Sequence, residues 1–302
     1  MDSRPDQHGQ PLPQDIYDAL HAGDDTVGGY NANVLIVVHL SGDGGPAAAV
    51  SIPRDDYVDL AGCPNQTCQG KVKQAYGLAY AQEADTLDAG GTQDLVAREQ
   101  RAREAGRKAH INTVRQLLRI PLDHFIEVTL GAFFQIARVV EPITVCLNED
   151  SSDTYSGAAF HQGVQQIDAG QAMAFVRQRR DASDQLNFTD LDRTRRQQAF
   201  IASLVSRAAR RWALSDPATL ANLLAVAKQN IAVDAGFDLA GFAQHAATLT
   251  AGTLSLYTCR SSSSAKTPPA KTSTSSTSQR SAPSWGTWWT PTPWPPPPRP
   301  AP

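Results

Sequence analysis

The 302-residue chain carries 27 Lys and Arg against 30 Asp and Glu, a formal net charge of -3, and 41% of its residues are hydrophobic. This balance permits a sizeable buried core and excludes disorder throughout, and it lacks the general cationic surface that grips nucleic acid. Four cysteines are too few for a disulfide scaffold. Cys63 and Cys68, in "CPNQTC", stand open between a small-loop disulfide, which would point to an oxidising compartment, and two free thiols.

The start of the chain, residues 1–28, reads as a loose, partly disordered lead-in with one short helical segment in "PQDIYDALHAG". It lacks the layout of a signal peptide, and no run approaches the roughly 18 apolar residues of a membrane span. Then comes "VLIVVHL", Val34 to Leu40, a β-branched run expected to be a strand covered on both faces. His39 within it reads as a hydrogen-bonded core residue. After the turn "SGDGGP", a second strand, "AAAVSI", stops at Pro53 and delivers Arg54 and Asp55 beyond its carboxyl end, where open α/β sheets place ligands.

From Lys71 to Leu118, Ala, Gln, Glu and Arg with apolar residues at helical spacing predict two helices broken near "DAGGTQ". "FIEVTL" and "ITVCL" resume the strand pattern, with helical "GAFFQIARVV" between them. A polar loop follows. Asp168 is set to cap a helix in "QIDAGQAMAFVRQR", and "TDLDRTRRQQAF" opens another. Residues 216–250 suggest further amphipathic helices, and "TLSLYT" a last strand. This alternation predicts an α/β domain over 29–258. The tail, 259–302, is rich in Ser, Thr, Pro and Trp, and is expected to be disordered.

Charge is concentrated late in the chain. Between Arg177 and Arg211 lie nine arginines, no lysine and four acidic residues. Arginine offers a planar fork that grips phosphate or carboxylate through two parallel hydrogen bonds and keeps its proton. On a helix, Arg193 and Gln197 share a face, with Arg196 one step around it. The competing reading is a solvated face laced with ion pairs to Asp181, Asp184, Asp190 and Asp192. No nucleotide-binding glycine fingerprint is present, and no aromatic residue interleaves with the arginines as a nucleic-acid stacking site requires.

The order of "NVLIVVHL", "SIPRDDYV", "KVKQAY", "DAGQAMAFVRQR" and "DRTRRQQAF" over about residues 29–205 resembles the LytR-CpsA-Psr (LCP) family of cell-envelope proteins, in particular its actinobacterial and mycobacterial members. The resemblance implies a three-layer fold, a mixed central β-sheet sandwiched by α-helices, with a groove for a polyprenyl chain. It implies a phosphotransferase that moves a glycopolymer, arabinogalactan in mycobacteria-like organisms, from a polyprenyl diphosphate carrier to peptidoglycan, together with pyrophosphatase activity on prenyl diphosphates. The site would lie at the extracytoplasmic face of the membrane, meeting that surface through the lipid substrate, with Mg²⁺ or Mn²⁺ as cofactor; the negative net charge and the lack of interleaved aromatics argue against a nucleic-acid partner. Family positions carried over give Arg54, Asp55 and Arg193 as catalytic, and Arg54, Lys71, Arg177, Arg179, Arg193, Arg196 and Gln197 as diphosphate-binding. Two departures stand out. Asn33 occupies a position where the family has a metal-binding Asp, leaving Asp25, or Asp24, as a weak substitute ligand. The family's opening strand is missing, as if the domain were truncated at its N-terminus. A catalytically impaired prenyl-phosphate binder is therefore the alternative.

Overall fold

The computed structural model describes residues 5–21, 29–41, 45–183, 188–209, 221, 225–226, 230–238, 241–242 and 254–259. Helices and strands alternate along them, and the helices expected over 216–250 lie largely outside the described residues. The central sheet has three strands in the order β1 (Leu35–His39), β2 (Ala47–Ile52), β11 (Leu254–Thr258). It is mixed: β1 runs antiparallel to β2, with Leu35 opposite Ile52, and β11 runs parallel to β2, with Thr258 opposite Ser51. Proline cannot donate to a ladder, so Pro53 ends β2 and the chain leaves the sheet at Arg54.

Helices cover both faces. On one, Val114 of α3 (Leu95–Leu118) packs with Leu35, Ile52 and Val72. On the other lies α6 (Asp190–Ala209), whose Gln198 amide nitrogen is 3.0 Å from Ser51 Oγ, 2.8 Å from the Tyr257 carbonyl and 3.1 Å from Thr258 Oγ1. Ser51 and Ile52 point to opposite faces, as the period of a strand requires. The strand "VLIVVHL" nevertheless departs from expectation. Among the described residues β1 is an edge strand with Val34, Val38 and His39 exposed. A continuous β-branched run reads identically whether its second face is covered or not.

The two expected helices are α2 (Gln74–Ala89) and α3, separated at Gly90 to Asp94. The Asp94 side chain accepts from the amides of Val96 and Ala97 and starts α3. The helices approach closely where a Cβ on Gly106 would stand 2.6 Å from the Tyr76 ring. Ahead of them, β3 (Tyr57–Asp59) and β4 (Gln69–Lys71) form a hairpin whose tip carries a disulfide between Cys63 and Cys68, resolving the alternative left open by sequence.

A second core gathers Phe134 of α4 (Leu130–Val140), Ile143 and Val145 of β6 (Ile143–Leu147), Ile167 of β9 (Gly163–Ile167), and Met173 and Phe175 of α5 (Ala169–Arg177). Phe200 of α6 joins it. Asp168 caps α5 by accepting from the Gln171 amide, as its position predicts. The stretch read as a polar loop before α5 instead holds β9, paired with β6, and a hairpin of β7 (Ser151–Asp153) and β8 (Ala158–Phe160). Three-residue strands are too short to register as an alternating pattern. β5 (Ile126–Val128) pairs with β10 (Ile231–Val233).

The lead-in is also more ordered than its composition predicts over its described part. Helix α1 (Gln14–Ala19) buries Ile16 and Tyr17, and Leu20 follows in the same core. Ahead of it, the Asp6 carbonyl accepts from Arg103 at 2.8 Å and the Gln7 amide oxygen accepts from Arg107 at 3.0 Å. Arg103 is fully buried and also donates to Glu99 at 2.7 Å and Glu127 at 3.4 Å. Tyr30 and Tyr80, stacked on each other, both donate to Glu99. The 259–302 tail lies outside the described residues except for Cys259.

Candidate functional site

The turn after β2 and the end of β4 are stitched together by the backbone: the Val72 amide donates to the Asp56 carbonyl at 2.8 Å and the Lys73 amide to the Arg54 carbonyl at 3.2 Å. Arg54, Asp55, Lys71 and Lys73 are thereby collected at one end of the sheet. Gln198, by anchoring α6 to Ser51 and β11, sets the first turns of that helix over the same place. There Arg54, only 7% exposed, and Arg193, 5% exposed, share the Asp190 carboxylate. Arg193 Nη2 donates to Asp190 Oδ1, and Arg54 Nε lies 3.5 Å from the same oxygen. Arg54 Nη1 donates to the Asn33 amide oxygen at 2.5 Å.

Asp55 takes the lysines. Its Oδ1 is 2.7 Å from Lys73 Nζ and 3.4 Å from Lys71 Nζ, and its Oδ2 is 3.8 Å from Arg54 Nε. Burial pushes the Asp55 carboxyl up, but Lys73, Arg54 and Lys71 outweigh it and hold the group below the usual carboxylate range. Arg193 is pushed down to about 10, first by burial and then by the neighbouring charges of Arg54 and Arg179, against the pull of Asp190 and Asp55. It stays charged near neutrality. Four cations, Arg54, Arg193, Lys71 and Lys73, face two carboxylates, an excess of two positive charges in which the arginines are buried, Lys73 is partly buried and Lys71 is exposed. Among the described residues, the buried Nε of Arg193 and the buried Oδ2 of Asp190 have no hydrogen-bond partner. Orphaned buried donors are costly, and a positive site with an open donor is suited to an anion.

The residues predicted from sequence divide. Arg54, Asp55, Lys71, Arg193 and Asn33 come together. Arg179 is exposed and near enough to depress Arg193. Arg177 lies at the last turn of α5 and donates to the Leu20 carbonyl beyond α1. Gln197 is buried and donates to the Val176 carbonyl at 3.4 Å, tying α6 to α5. Arg196 does not join the cluster. One step around the helix, its guanidinium donates to Gln178 and Ser151 and lies over the rings of Phe188 and Phe175 at 4.5 and 5.5 Å. Asp24 and Asp25 lie outside the described residues.

Sequence reasoning missed Lys73, whose signal was present as the second lysine of "KVK", and treated Asp190 only as an ion-pair partner. The solvated-face reading holds one residue along, where exposed Arg195 pairs with Asp192 at 3.1 Å.

A divalent cation fits this set only in company. No group of three or more His, Cys, Asp or Glu side chains gathers among the described residues. Of the oxygens at hand, Asn33 Oδ1, Asp55 Oδ1 and Asp190 Oδ1 already face cations, which leaves Asp190 Oδ2 without a partner among the described residues. Mg²⁺ commonly binds through one or two carboxylates plus substrate phosphates, and phosphate oxygens would have to complete the shell here.

Residues 8–267 match the LytR_cpsA_psr family. The chain belongs to that family. It is 35% identical over 259 residues to the cell wall biosynthesis protein LcpA of Corynebacterium glutamicum, covering 85% of this chain and 48% of the relative. It is 24% identical over 207 residues to Bacillus subtilis TagU, a polyisoprenyl-teichoic acid–peptidoglycan teichoic acid transferase, covering 68% of this chain and 55% of TagU. The chain thus spans about half the length of the curated relatives it matches. Among solved structures it is similar to B. subtilis TagV, with a TM-score of 0.56 and 20% identity over 76% of this chain and 77% of that one. It is also similar to a LytR-Csp2A-Psr enzyme of Actinomyces oris, with a TM-score of 0.53 and 19% identity over 76% of each chain. These last two likenesses establish the fold: a LytR-CpsA-Psr domain with a mixed sheet between helices.

Proposed function

We propose that this LytR-CpsA-Psr protein is a phosphotransferase that moves a glycopolymer from a polyprenyl diphosphate carrier onto peptidoglycan at the outer face of the cell membrane. The observation that carries the reading is the buried Arg54–Arg193 pair around one carboxylate, with excess positive charge and an open Arg193 Nε. The membership in a family whose relatives include a named teichoic acid transferase supports it. The similarity to the C. glutamicum cell wall biosynthesis protein LcpA supports a cell-wall polymer as the cargo, and arabinogalactan is the polymer proposed.

Phosphoryl transfer asks little covalent chemistry of a protein; it asks that charge on the phosphoryl oxygens be neutralised and the groups held in line. Arg54 and Arg193 would grip the diphosphate oxygens, with Lys71, Lys73 and Arg179 at the rim. An acceptor hydroxyl attacks the sugar-bearing phosphorus, the bond to the bridging oxygen breaks, and lipid phosphate leaves with that electron pair while the hydroxyl proton passes to solvent. Asp55, held below the usual carboxylate range, is a weak base; its part is to hold Lys71 and Lys73 in place. Asp190 does the same for the two arginines. A Mg²⁺ or Mn²⁺ ion entering with the substrate would add charge neutralisation, with Asp55, Asp190 and Asn33 the protein oxygens nearest to hand.

The test is release of inorganic phosphate from a short-chain prenyl diphosphate, with turnover falling roughly 10²- to 10³-fold in Arg193→Ala. Unchanged turnover in the variant would sink the reading. Asn33, a neutral acceptor for Arg54, favours a second one: a prenyl-phosphate binder of impaired turnover. Under that reading wild type retains the lipid diphosphate without hydrolysing it, and Asn33→Asp gains phosphate release.

A further inference from the structure

The hairpin of β7 and β8 carries Tyr155 at its turn, 72% exposed. An aromatic ring so exposed is ordinarily left loose, but this one is held. The Arg180 guanidinium lies 4.3 Å from the ring centre over one face, and the Tyr155 amide donates to Asp153 at 3.0 Å. The turn itself is fixed. Gly157, at φ +73°, packs so tightly that a Cβ there would stand 2.5 Å from the His21 ring. Ser156 donates to Asp153 at 2.9 Å. The hairpin is tied to the segment that follows α5: the Ser152 amide donates to Asp181 at 3.1 Å and the Ala182 amide to the Ser152 carbonyl at 2.8 Å.

That segment is also the one that carries Arg179, the chain neighbour of Arg180 and the residue whose charge reaches Arg193. The ring is thus an apolar plate with a cation over one face, on a hairpin whose base meets α6, where Arg196, on the helix that carries Arg193, donates to Gln178 and Ser151. Tyr57, the other strongly exposed tyrosine among the described residues, is 53% exposed, and none of those residues sets a cation over its ring.

We propose that Tyr155 is a stacking platform for a pyranose ring attached to or approaching the diphosphate. The inference rests on the proposed function for the nature of the anion next door. A pyranose has an apolar face of C–H groups whose slight positive charge meets the negative face of an aromatic ring, and a plate already held in place loses little freedom on binding. The sugar has two sources: the first residue of the glycopolymer on the donor, or the glycan of the acceptor.

The experiment uses the whole 302-residue chain as wild type, Tyr155→Ala and Tyr155→Phe, in calorimetric titrations with three probes. These are inorganic pyrophosphate, a short-chain prenyl diphospho-N-acetylglucosamine, and a soluble tetrasaccharide of alternating N-acetylglucosamine and N-acetylmuramic acid. Tyr155→Ala is expected to weaken one saccharide probe by about five-fold or more, while Phe retains it and pyrophosphate binds all three proteins alike. Whichever saccharide loses affinity identifies donor or acceptor as the source. Equal binding of both saccharide probes to the Ala variant and wild type, failure of both to bind wild type, or equal loss in Phe and Ala overturns the platform. If wild type ignores pyrophosphate, the anion site itself is wrong, whereas a saccharide loss confined to the Ala variant still upholds Tyr155.

Discussion

Two clusters of arginine and carboxylate lie in this protein, and they differ in how completely their charges are answered. Around Arg103, each arginine meets an acceptor: Glu99, Glu127, the Asp6 carbonyl and the Gln7 amide oxygen take up Arg103 and Arg107, and stacked Tyr30 and Tyr80 complete Glu99. Beyond β2, two buried arginines share one carboxylate and Arg193 Nε faces none. The first arrangement is finished by the fold. The second leaves a buried donor unanswered among the described residues, and under the proposed function this is where the anion enters.

Truncation separates the two most sharply. Arg103→Ala strands Glu99 and Glu127 in the interior and is expected to cost about 3–5 kcal/mol, read as a shift in the urea unfolding curve. Arg193→Ala relieves a crowd of cations and leaves that curve unchanged or moves it to higher urea. Equal destabilisation by both would erase the distinction.

Acid gives the next effect. Burial pushes the Glu127 carboxyl up, but Arg107, by charge and hydrogen bond, and Arg103 hold it below its ordinary 4.5. A carboxyl depressed in the fold contributes stability that is present above its unfolded value and lost as pH falls through the folded value. Melting temperature should therefore drop more steeply below about pH 4.5 in wild type than in Glu127→Gln. Parallel acid limbs would show that Glu127 carries no such linkage. The smallest effect belongs to the exposed pair of Arg195 and Asp192 on α6, where Arg195→Ala should change stability by no more than about 0.5 kcal/mol and leave pyrophosphate binding within error.

The finished and unfinished clusters were unequally legible in sequence. Arg54 and Arg193 could be found because Pro53 ends a strand before one and helical spacing displays the other, and ordered motifs linked them. Arg196 was misplaced because adjacency on a helix says nothing about which neighbour, here Gln178 and Phe188, waits at the next step around. Lys73 has no local signal beyond being the second lysine of "KVK", and it is the backbone bond to Arg54 that draws it to Asp55. The Arg103 network left no local trace at all, since its members, from Asp6 to Glu127, are brought together only by packing. The same holds for the described lead-in, polar in composition yet anchored by Ile16, Tyr17 and Leu20, and for β7 and β8, too short to show a period.

The central claim is that Arg54 and Arg193 converge to hold linked phosphates. Titration of inorganic pyrophosphate into wild type and a folded Arg193→Ala variant tests it most directly. The account predicts saturable, salt-sensitive binding to wild type that weakens at least about 30-fold in the variant, the loss of a charge-assisted contact of about 2 kcal/mol. Undiminished affinity in the variant would contradict it.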